Sequence, residues 1–185
     1  MRINVATGFT IVEVLVAIIV LALGLIGGTA MQLGALRTRH QSALLSNAVR
    51  LASGMADRMR ANVPQLRRAD DDNPYLNLDY DTASTAAPAQ QCFADATCTS
   101  AQLASFDIYE LKQQLKAELP GGRVVICRDE NAWDPAGKSL GWVCSGAAGA
   151  PIVIKLGWRG KNPDGSAPSD ASRPSVAITM TAGAR

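Results

Sequence analysis

The stretch that decides the fold is Gly8-Phe9-Thr10-Ile11-Val12-Glu13-Val14-Leu15-Val16-Ala17-Ile18-Ile19-Val20-Leu21-Ala22-Leu23. Residues 9–31 are mostly apolar and carry a single charge, on Glu13. A helix of that length, at about 1.5 Å per residue, spans the roughly 30 Å hydrocarbon core of a bilayer. A carboxylate near the bilayer centre costs roughly 2.5–3.5 kcal/mol, so it usually has a function and a partner. We therefore expect a membrane-spanning helix whose one charge has a specific role.

Two simpler interpretations of this run stay open. The run is a cleaved secretory signal if the small residues Gly28-Thr29-Ala30 form its cleavage site, although the apolar region is long for a signal and carries a charge. Alternatively, the run is a plain signal anchor, in which Glu13 has no role.

The residues around Gly8 resemble the processing site of type IV prepilins and type II secretion pseudopilins. In that class a short polar leader ends in Gly, Phe follows, Glu comes four residues after the Phe, and an apolar helix continues. Here residues 1–8 are the leader, with Arg2 as its only charged side chain. The resemblance implies a membrane aspartic peptidase that cuts between Gly8 and Phe9 and N-methylates Phe9. Gly8 suits this because a residue without Cβ lets a protease approach the backbone closely.

The resemblance also implies a role for Glu13. Cleavage leaves Phe9 with an α-amino group that is cationic near pH 7, about one helical turn from Glu13. Opposite charges attract strongly in a low-dielectric filament core, although both lose hydration there. Glu13 would pair with the Phe9 amine of a neighbouring subunit, or of its own subunit, and so fix the register of assembly.

Three glycines, Gly24, Gly27 and Gly28, fall in the second half of the apolar run. Each costs about 1 kcal/mol of helix propensity relative to Ala. They serve either helix packing through small residues or local melting of the helix when it moves from bilayer to filament.

Helical periodicity continues to about residue 62, where Pro64 ends it. The apolar stripe has spacings of three and four and consists of Leu33, Leu36, Leu44, Ala48, Leu51, Met55 and Met59. The second half of this helix of about 50 residues is therefore expected to pack against a globular head. Met55 and Met59 are interpreted as core residues. His40, the only histidine, is interpreted as an interface or partly exposed residue without a metal role.

Residues 65 to about 105 are polar and predict a solvated surface loop. Six polar residues cluster there and could offer oxygen ligands to calcium, but their spacing does not match an EF-hand: Asp70, Asp71, Asp72, Asn73, Asp79 and Asp81. Whether this loop binds calcium stays open. A second helix is predicted over residues 106–119, before Pro120-Gly121-Gly122.

Three segments rich in β-branched residues predict strands at residues 123–127, 151–158 and 175–181. Turn clusters separate them, notably Lys161-Asn162-Pro163-Asp164-Gly165. The predicted class is α+β: a long N-terminal helix packed against a small antiparallel sheet.

The four cysteines, Cys92, Cys98, Cys127 and Cys144, indicate two disulfides if the helix exports the head to an oxidising compartment. Four cysteines allow three connectivities. Proximity in sequence favours Cys92–Cys98 and Cys127–Cys144. No Cys-x-x-Cys pair points to a zinc site instead.

The sequence carries no phosphate-binding loop and no Gly-x-Ser-x-Gly elbow. Its one histidine lies on the helix, which excludes a Ser-His-Asp arrangement in the head. A formal net charge of +2 argues against nucleic-acid binding as the main role. We expect no catalytic residues, no cofactor and no metal.

Within the pilin class the chain resembles PilV-type minor pilins, in its N-terminal segment and in two pieces of the head. These are residues 124–129, a strand entering a cysteine, and residues 152–158, which follow Trp142-Val143-Cys144. The resemblance implies a subunit that primes assembly or caps the tip of a type IV pilus. Its implied partners are other minor pilins, the major pilin, the prepilin peptidase and the inner-membrane assembly platform, with a tip adhesin as a further candidate.

The expected organisation is a leader at 1–8, a transmembrane and polymerisation helix at 9–31, an amphipathic helical half at 32–63 and a periplasmic head at 64–185. The expected location is the inner membrane before assembly and the pilus afterwards. A type II secretion minor pseudopilin shares every feature through Glu13 and remains an alternative. A membrane-anchored periplasmic enzyme or binding protein is the alternative from another class.

Overall fold

The computed structural model describes residues 8, 10–81, 88, 91–93, 96–159 and 173–180. Its helices are α1 (Ile11–Ala61), α2 (Val63–Leu66) and α3 (Ser100–Glu118), and a single 3-10 turn covers Asp70–Asp72. Its strands are β1 (Leu78–Asp81), β2 (Arg123–Arg128), β3 (Trp133–Asp134), β4 (Ser139–Leu140), β5 (Ile152–Gly157) and β6 (Val176–Met180). The predicted α+β class, a long helix with a small antiparallel sheet, is confirmed.

Helix α1 is 51 residues long and ends at Ala61, close to the predicted end. Pro64 lies in the first turn of α2, where its missing N–H costs no helical hydrogen bond. By its internal contacts the chain divides into two units, Met1–His40 and Gln41–Arg185. The first contains the apolar part of α1, and the second contains the head together with the end of α1.

The end of α1 supplies one wall of the head core. Its buried residues recur every three or four positions, as one face of a helix requires; they are Leu44, Ala48, Leu51, Ala52, Met55, Ala56 and Met59. The interpretation of Met55 and Met59 as core residues is confirmed, since both are at most 2% exposed. The predicted stripe begins too early, however, because Leu33 and Leu36 are exposed.

The head sheet has four antiparallel strands in the order β1-β2-β5-β6. Strand β5 lies between β2, where Ile126 pairs with Ile154, and β6, where Leu156 pairs with Val176. All six residues of β5 are buried, which explains its nearly continuous apolar sequence. A separate two-stranded hairpin is formed by β3 and β4, inside the long connection from β2 to β5.

The prediction of a surface loop from residue 65 to about 105 is wrong. Strand β1 lies there, with Leu78 and Tyr80 buried and with Asp79 and Asp81 exposed. Helix α3 begins at Ser100, six residues before the predicted start, because Thr99 and Gln102 form a capping box. Each element has a local sequence signal: β1 alternates apolar and polar residues, and α3 begins with an N-cap. The polar composition of the whole segment obscures both signals.

Two sequence expectations for the head fall outside the described residues. The turn cluster Lys161-Asn162-Pro163-Asp164-Gly165 lies entirely outside them, and so does Thr181 at the end of the last predicted strand.

Candidate functional site

The part of α1 before Gln41 presents an exposed apolar surface. Its large apolar side chains, from Ile11 to Leu36, are 48–84% exposed. By length and composition, α1 is the one helix in the described part of the chain that could cross a membrane. So much exposed apolar surface requires either lipid or partner helices around it.

Glu13 lies in the first turn of α1, and Thr10 caps that turn. The Glu13 N–H donates to Thr10 Oγ1 at 3.3 Å and to the Thr10 carbonyl oxygen at 3.1 Å. A Thr followed three residues later by Glu is a helix-start signal that our sequence reasoning did not use. A carboxylate in the first turn also interacts favourably with the helix dipole.

The surface beside Glu13 is otherwise apolar. Glu13 lines a shallow depression on α1 together with Val14, Ala17, Ile18 and Leu21. A neighbouring helix seated here would meet one carboxylate in an apolar setting, which is the arrangement that the sequence predicts.

Of the predicted processing site, Gly8 is described and Phe9 is not. Gly8 is exposed, and a Cβ built on it would meet no atom within 4 Å. Phe9 and residues 1–7 lie outside the described residues.

The three glycines of the apolar run do not interrupt α1. The helix is continuous through Gly24, Gly27 and Gly28, and a Cβ at any of them would meet nothing within 4 Å. Among the described residues, no neighbouring atom supplies a packing reason for these glycines.

The head contains a buried ion pair that our sequence reasoning missed. Lys155, in the middle of β5, is completely buried, and its Nζ lies 2.6 Å from Asp129 Oδ2. Nζ also donates to the carbonyl oxygens of Gly141 and Val143, both at 2.8 Å. The buried ammonium thus has one ion-pair partner and two hydrogen-bond acceptors, which offset the cost of burying its charge. The available signal was a lone lysine inside an apolar strand, the same kind of signal that singled out Glu13.

Asp129 completes this arrangement. Its Oδ1 accepts the N–H of Asn131 at 3.2 Å and of Ser145 at 3.3 Å. Burial alone would raise the pKa of Asp129, but hydrogen bonds from Lys155, Asn131 and Ser145, and the charge of Lys155, hold it below its usual value. Asp129 therefore stays ionised and fixes the start of the connection between β2 and β5.

Trp142 packs on the sheet from this same connection. The Arg123 guanidinium lies 4.6 Å from the centre of the Trp142 ring, while it donates to both carboxylate oxygens of Asp79 at 3.1 and 2.8 Å. Strand β5, on which Trp142 packs, needs a glycine at its last position. A Cβ on Gly157 would lie 2.8 Å from the Trp142 ring and 2.7 Å from the Arg173 carbonyl oxygen.

Two disulfides close loops in the head, Cys92–Cys98 and Cys127–Cys144. These are the pairs that proximity in sequence favours. Cys127–Cys144 ties β2 to the segment whose carbonyl groups bind Lys155. A disulfide and a buried ion pair thus hold the same segment.

A second buried polar network joins α1 to α3. The Tyr75 hydroxyl donates to Asp107 Oδ2 at 2.8 Å, and Arg58 donates to Asp107 Oδ1 at 3.3 Å and to Glu110 at 2.9 Å. Asn62 donates to the Tyr75 hydroxyl at 3.0 Å. Burial raises the pKa of Asp107, and the contacts with Tyr75 and Arg58 offset this only in part.

The two buried aspartates should respond differently to loss of charge. At pH 7, Asp129→Asn leaves the Lys155 ammonium buried without its counter-charge, and we expect a loss of about 3–5 kcal/mol in the free energy of unfolding, as for other broken buried ion pairs. Asp107→Asn should lower the free energy of unfolding by less. The raised pKa of Asp107 means that the folded state, compared with the unfolded chain, favours the neutral carboxyl group.

The pH dependence provides the measurement. Asp129 has a lowered pKa in the folded state. Its contribution to the free energy of unfolding is therefore complete above its pKa in the unfolded chain, about 3.9, and disappears as the pH falls through its pKa in the folded chain. Asp107 has a raised pKa, so its protonation in acid favours the folded state. Urea unfolding of the full chain in detergent between about pH 3 and 7 should show a shallower acid decline for Asp129→Asn and a steeper one for Asp107→Asn. If both variants showed the same dependence of unfolding free energy on pH, the opposite pKa shifts of Asp129 and Asp107 would be contradicted.

The acidic cluster at Asp70–Asp72 forms a 3-10 turn. Asp70 pairs with Arg128 at 2.5 Å. Within the described ranges, no group of three or more His, Cys, Asp or Glu residues is placed to hold a metal ion. His40 is exposed on α1.

Comparison with protein families gives a match. Residues 30–109 match the family model described as "Tt1218-like: Type IV pilin Tt1218". The matched part is slightly less than half of the chain. It begins at Ala30, within α1, and ends inside α3. It begins after Gly8 and Glu13, so the match and the processing motif are independent observations.

No curated protein and no solved structure matches the chain. The family match, the exposed apolar helix and the antiparallel sheet packed on the end of that helix together support a type IV pilin class for this chain.

Proposed function

We propose that this chain is a minor pilin of a type IV pilus, which enters the pilus through α1 and helps to prime assembly or cap the tip. The observation that carries the proposal is the exposed apolar surface of α1 with Glu13 as the only charge between residues 9 and 36. The match to a type IV pilin family supports the class, and the resemblance to PilV-type minor pilins supports the specific role. A pilin of this kind serves adhesion and twitching motility and is not an enzyme.

The proposed pathway starts in the inner membrane, with the head in the periplasm, and ends in the pilus at the cell surface. A prepilin peptidase removes residues 1–8 and methylates Phe9. Residues 9–31 then serve as the polymerisation helix, residues 32–63 as the amphipathic half and residues 64–185 as the head. The partners are the assembly platform, the major pilin and other minor pilins, with a tip adhesin as a further candidate.

The N-terminus of the mature protein tests this proposal. We expect mass spectrometry of protein from cells to find N-methylated Phe9 as the first residue. A start at Met31 would indicate ordinary secretion, and a start at Met1 would indicate a plain anchor; either result would contradict the proposal.

A type II secretion minor pseudopilin would give the same N-terminus, since both classes share the motif through Glu13. A deletion strain separates them. Loss of twitching with normal exoprotein export supports the pilus, whereas the reverse supports the secretion system.

A further inference from the structure

Cys127 and the buried Lys155 lie on the same face of the head sheet. Cys127 in β2 pairs in register with Val153 in β5, and side chains alternate between the two faces along a strand. Val153 and Lys155 therefore share a face, which is opposite to that of Ile154 in the core with α1. The disulfide and the ion pair thus occupy one face, away from the helices.

The ion pair holds both chain neighbours of Cys144. Lys155 Nζ donates to the carbonyl oxygen of Val143, the residue before this cysteine, at 2.8 Å. Asp129 Oδ1 accepts the N–H of Ser145, the residue after it, at 3.3 Å. Asp129 lies two residues after the other cysteine of the disulfide. The ion pair therefore joins the chain on either side of one cysteine to the strand that carries the other.

Backbone groups add to this seating of the segment. The Gly146 N–H donates to the Arg128 carbonyl oxygen at 3.0 Å, and the Glu130 N–H donates to Ser145 Oγ at 3.1 Å. None of these contacts involves a sulfur atom. They can therefore form while both cysteines are still thiols.

We infer that the Lys155–Asp129 ion pair selects the disulfide partner of Cys127, by presenting Cys144 to it during oxidative folding. Chain entropy alone selects weakly, because the cost of closing a loop grows slowly with its length. An unfolded chain thus discriminates little between Cys98 and Cys144 as partners of Cys127. Contacts that seat one thiol beside the other supply the missing selectivity.

The ion pair is a positioning element and takes no part in the exchange of electrons. The oxidant is a disulfide such as oxidised glutathione. One cysteine thiolate attacks it and releases a glutathione thiolate, and the second cysteine thiolate then displaces the other glutathione from the mixed disulfide. The two thiols lose two protons and two electrons in total, and the oxidant is reduced to two molecules of glutathione.

Equilibration of the full chain with glutathione redox buffers, in detergent, tests this. Peptide mass spectrometry after alkylation gives the oxidised fraction of each cysteine pair, and hence its effective concentration. We expect Lys155→Met/Asp129→Asn, here called the ion-pair variant, to lower the effective concentration of Cys127–Cys144 about 10- to 100-fold, the factor for one hydrogen bond to a charged group. Linkages of Cys127 to Cys98 should rise in the refolding mixture.

Two controls separate positioning from general stability. Cys92–Cys98 closes its own loop and should keep its effective concentration in the ion-pair variant. Leu115→Ala removes a fully buried side chain from the core shared with α1, so it destabilises the head without touching the ion pair. Denaturant titration gives the stability of each variant, and the comparison is made where circular dichroism shows both to be folded.

The control Leu115→Ala should keep the parental effective concentration of Cys127–Cys144. The inference is overturned if the ion-pair variant keeps the parental value, or if Leu115→Ala loses it equally. Neither measurement involves a filament, so the outcome is separate from that of the proposed function.

Cys127→Ser/Cys144→Ser gives a second measurement, which does not require the ion-pair variant to fold. We expect the Ser145 and Gly146 amides of this protein to stay protected from hydrogen exchange, because the ion pair seats the segment without the disulfide. Loss of that protection, or failure of the protein to fold, would show that the disulfide seats the ion pair, and would overturn the inference.

Discussion

Glu13→Ala is expected to leave processing intact but to reduce incorporation into pili to a small fraction of the normal level. In the assembled core, removing one partner of a buried ion pair leaves the other unpaired, at a cost of roughly 3–5 kcal/mol. That corresponds to a factor of about 10² to several times 10³ in an equilibrium constant. The measurement is the ratio of the chain in sheared pili to the chain in membranes, with mass spectrometry of the N-terminus as the processing readout.

The structure removes one competing explanation of such a result. Thr10 caps α1 through the backbone N–H of residue 13, and Glu13→Ala retains that N–H. A defect in the variant would therefore not follow from loss of this cap.

Glu13→Gln is the matched variant, because it keeps the size and polarity of the side chain and removes only the charge. We expect it to assemble as poorly as Glu13→Ala. Normal incorporation of either variant would show that the carboxylate does not set the register.

Lys155→Met is expected to destabilise the head by about 3–5 kcal/mol, since it leaves the Asp129 carboxylate buried without its cation. The two carbonyl oxygens that accept from Nζ, those of Gly141 and Val143, also lose their donor. The free energy of unfolding of the full chain, from denaturant titration in detergent micelles, gives the measurement.

Two variants keep this prediction specific. Lys155→Met/Asp129→Asn removes both charges and should be less destabilised than the two single changes added together, because neither charge is left unpaired. Lys116→Met, at an exposed position of α3, should change the free energy of unfolding by at most about 0.5 kcal/mol. If Lys155→Met unfolds like the parent chain, the ion pair does not stabilise the head.

The elements that sequence predicted correctly depend on local patterns. The length of α1 follows from apolar periodicity and from Pro64, and the central strands follow from runs of β-branched residues. Strand β1 and the start of α3 carry local signals too, at Tyr80 and Thr99, but they lie within a polar segment that was interpreted as a loop.

Local sequence patterns could not predict the tertiary contacts of the head. Asp107 meets Tyr75 across 32 positions and Arg58 across 49 positions of the chain. No periodicity links residues so far apart. Their pairing depends on how α1 and α3 pack, and the direction of the pKa shift at Asp107 depends on the burial that this packing creates.

The sequence by itself determined that this chain has a long apolar helix with a single early carboxylate, because length, hydropathy and charge are properties of contiguous residues. Only the tertiary structure decided that Asp129 is the partner of Lys155 and that both charges are buried. A buried charge is stable only where the fold brings its counter-charge and hydrogen-bond partners to it, and that juxtaposition is a property of the folded chain.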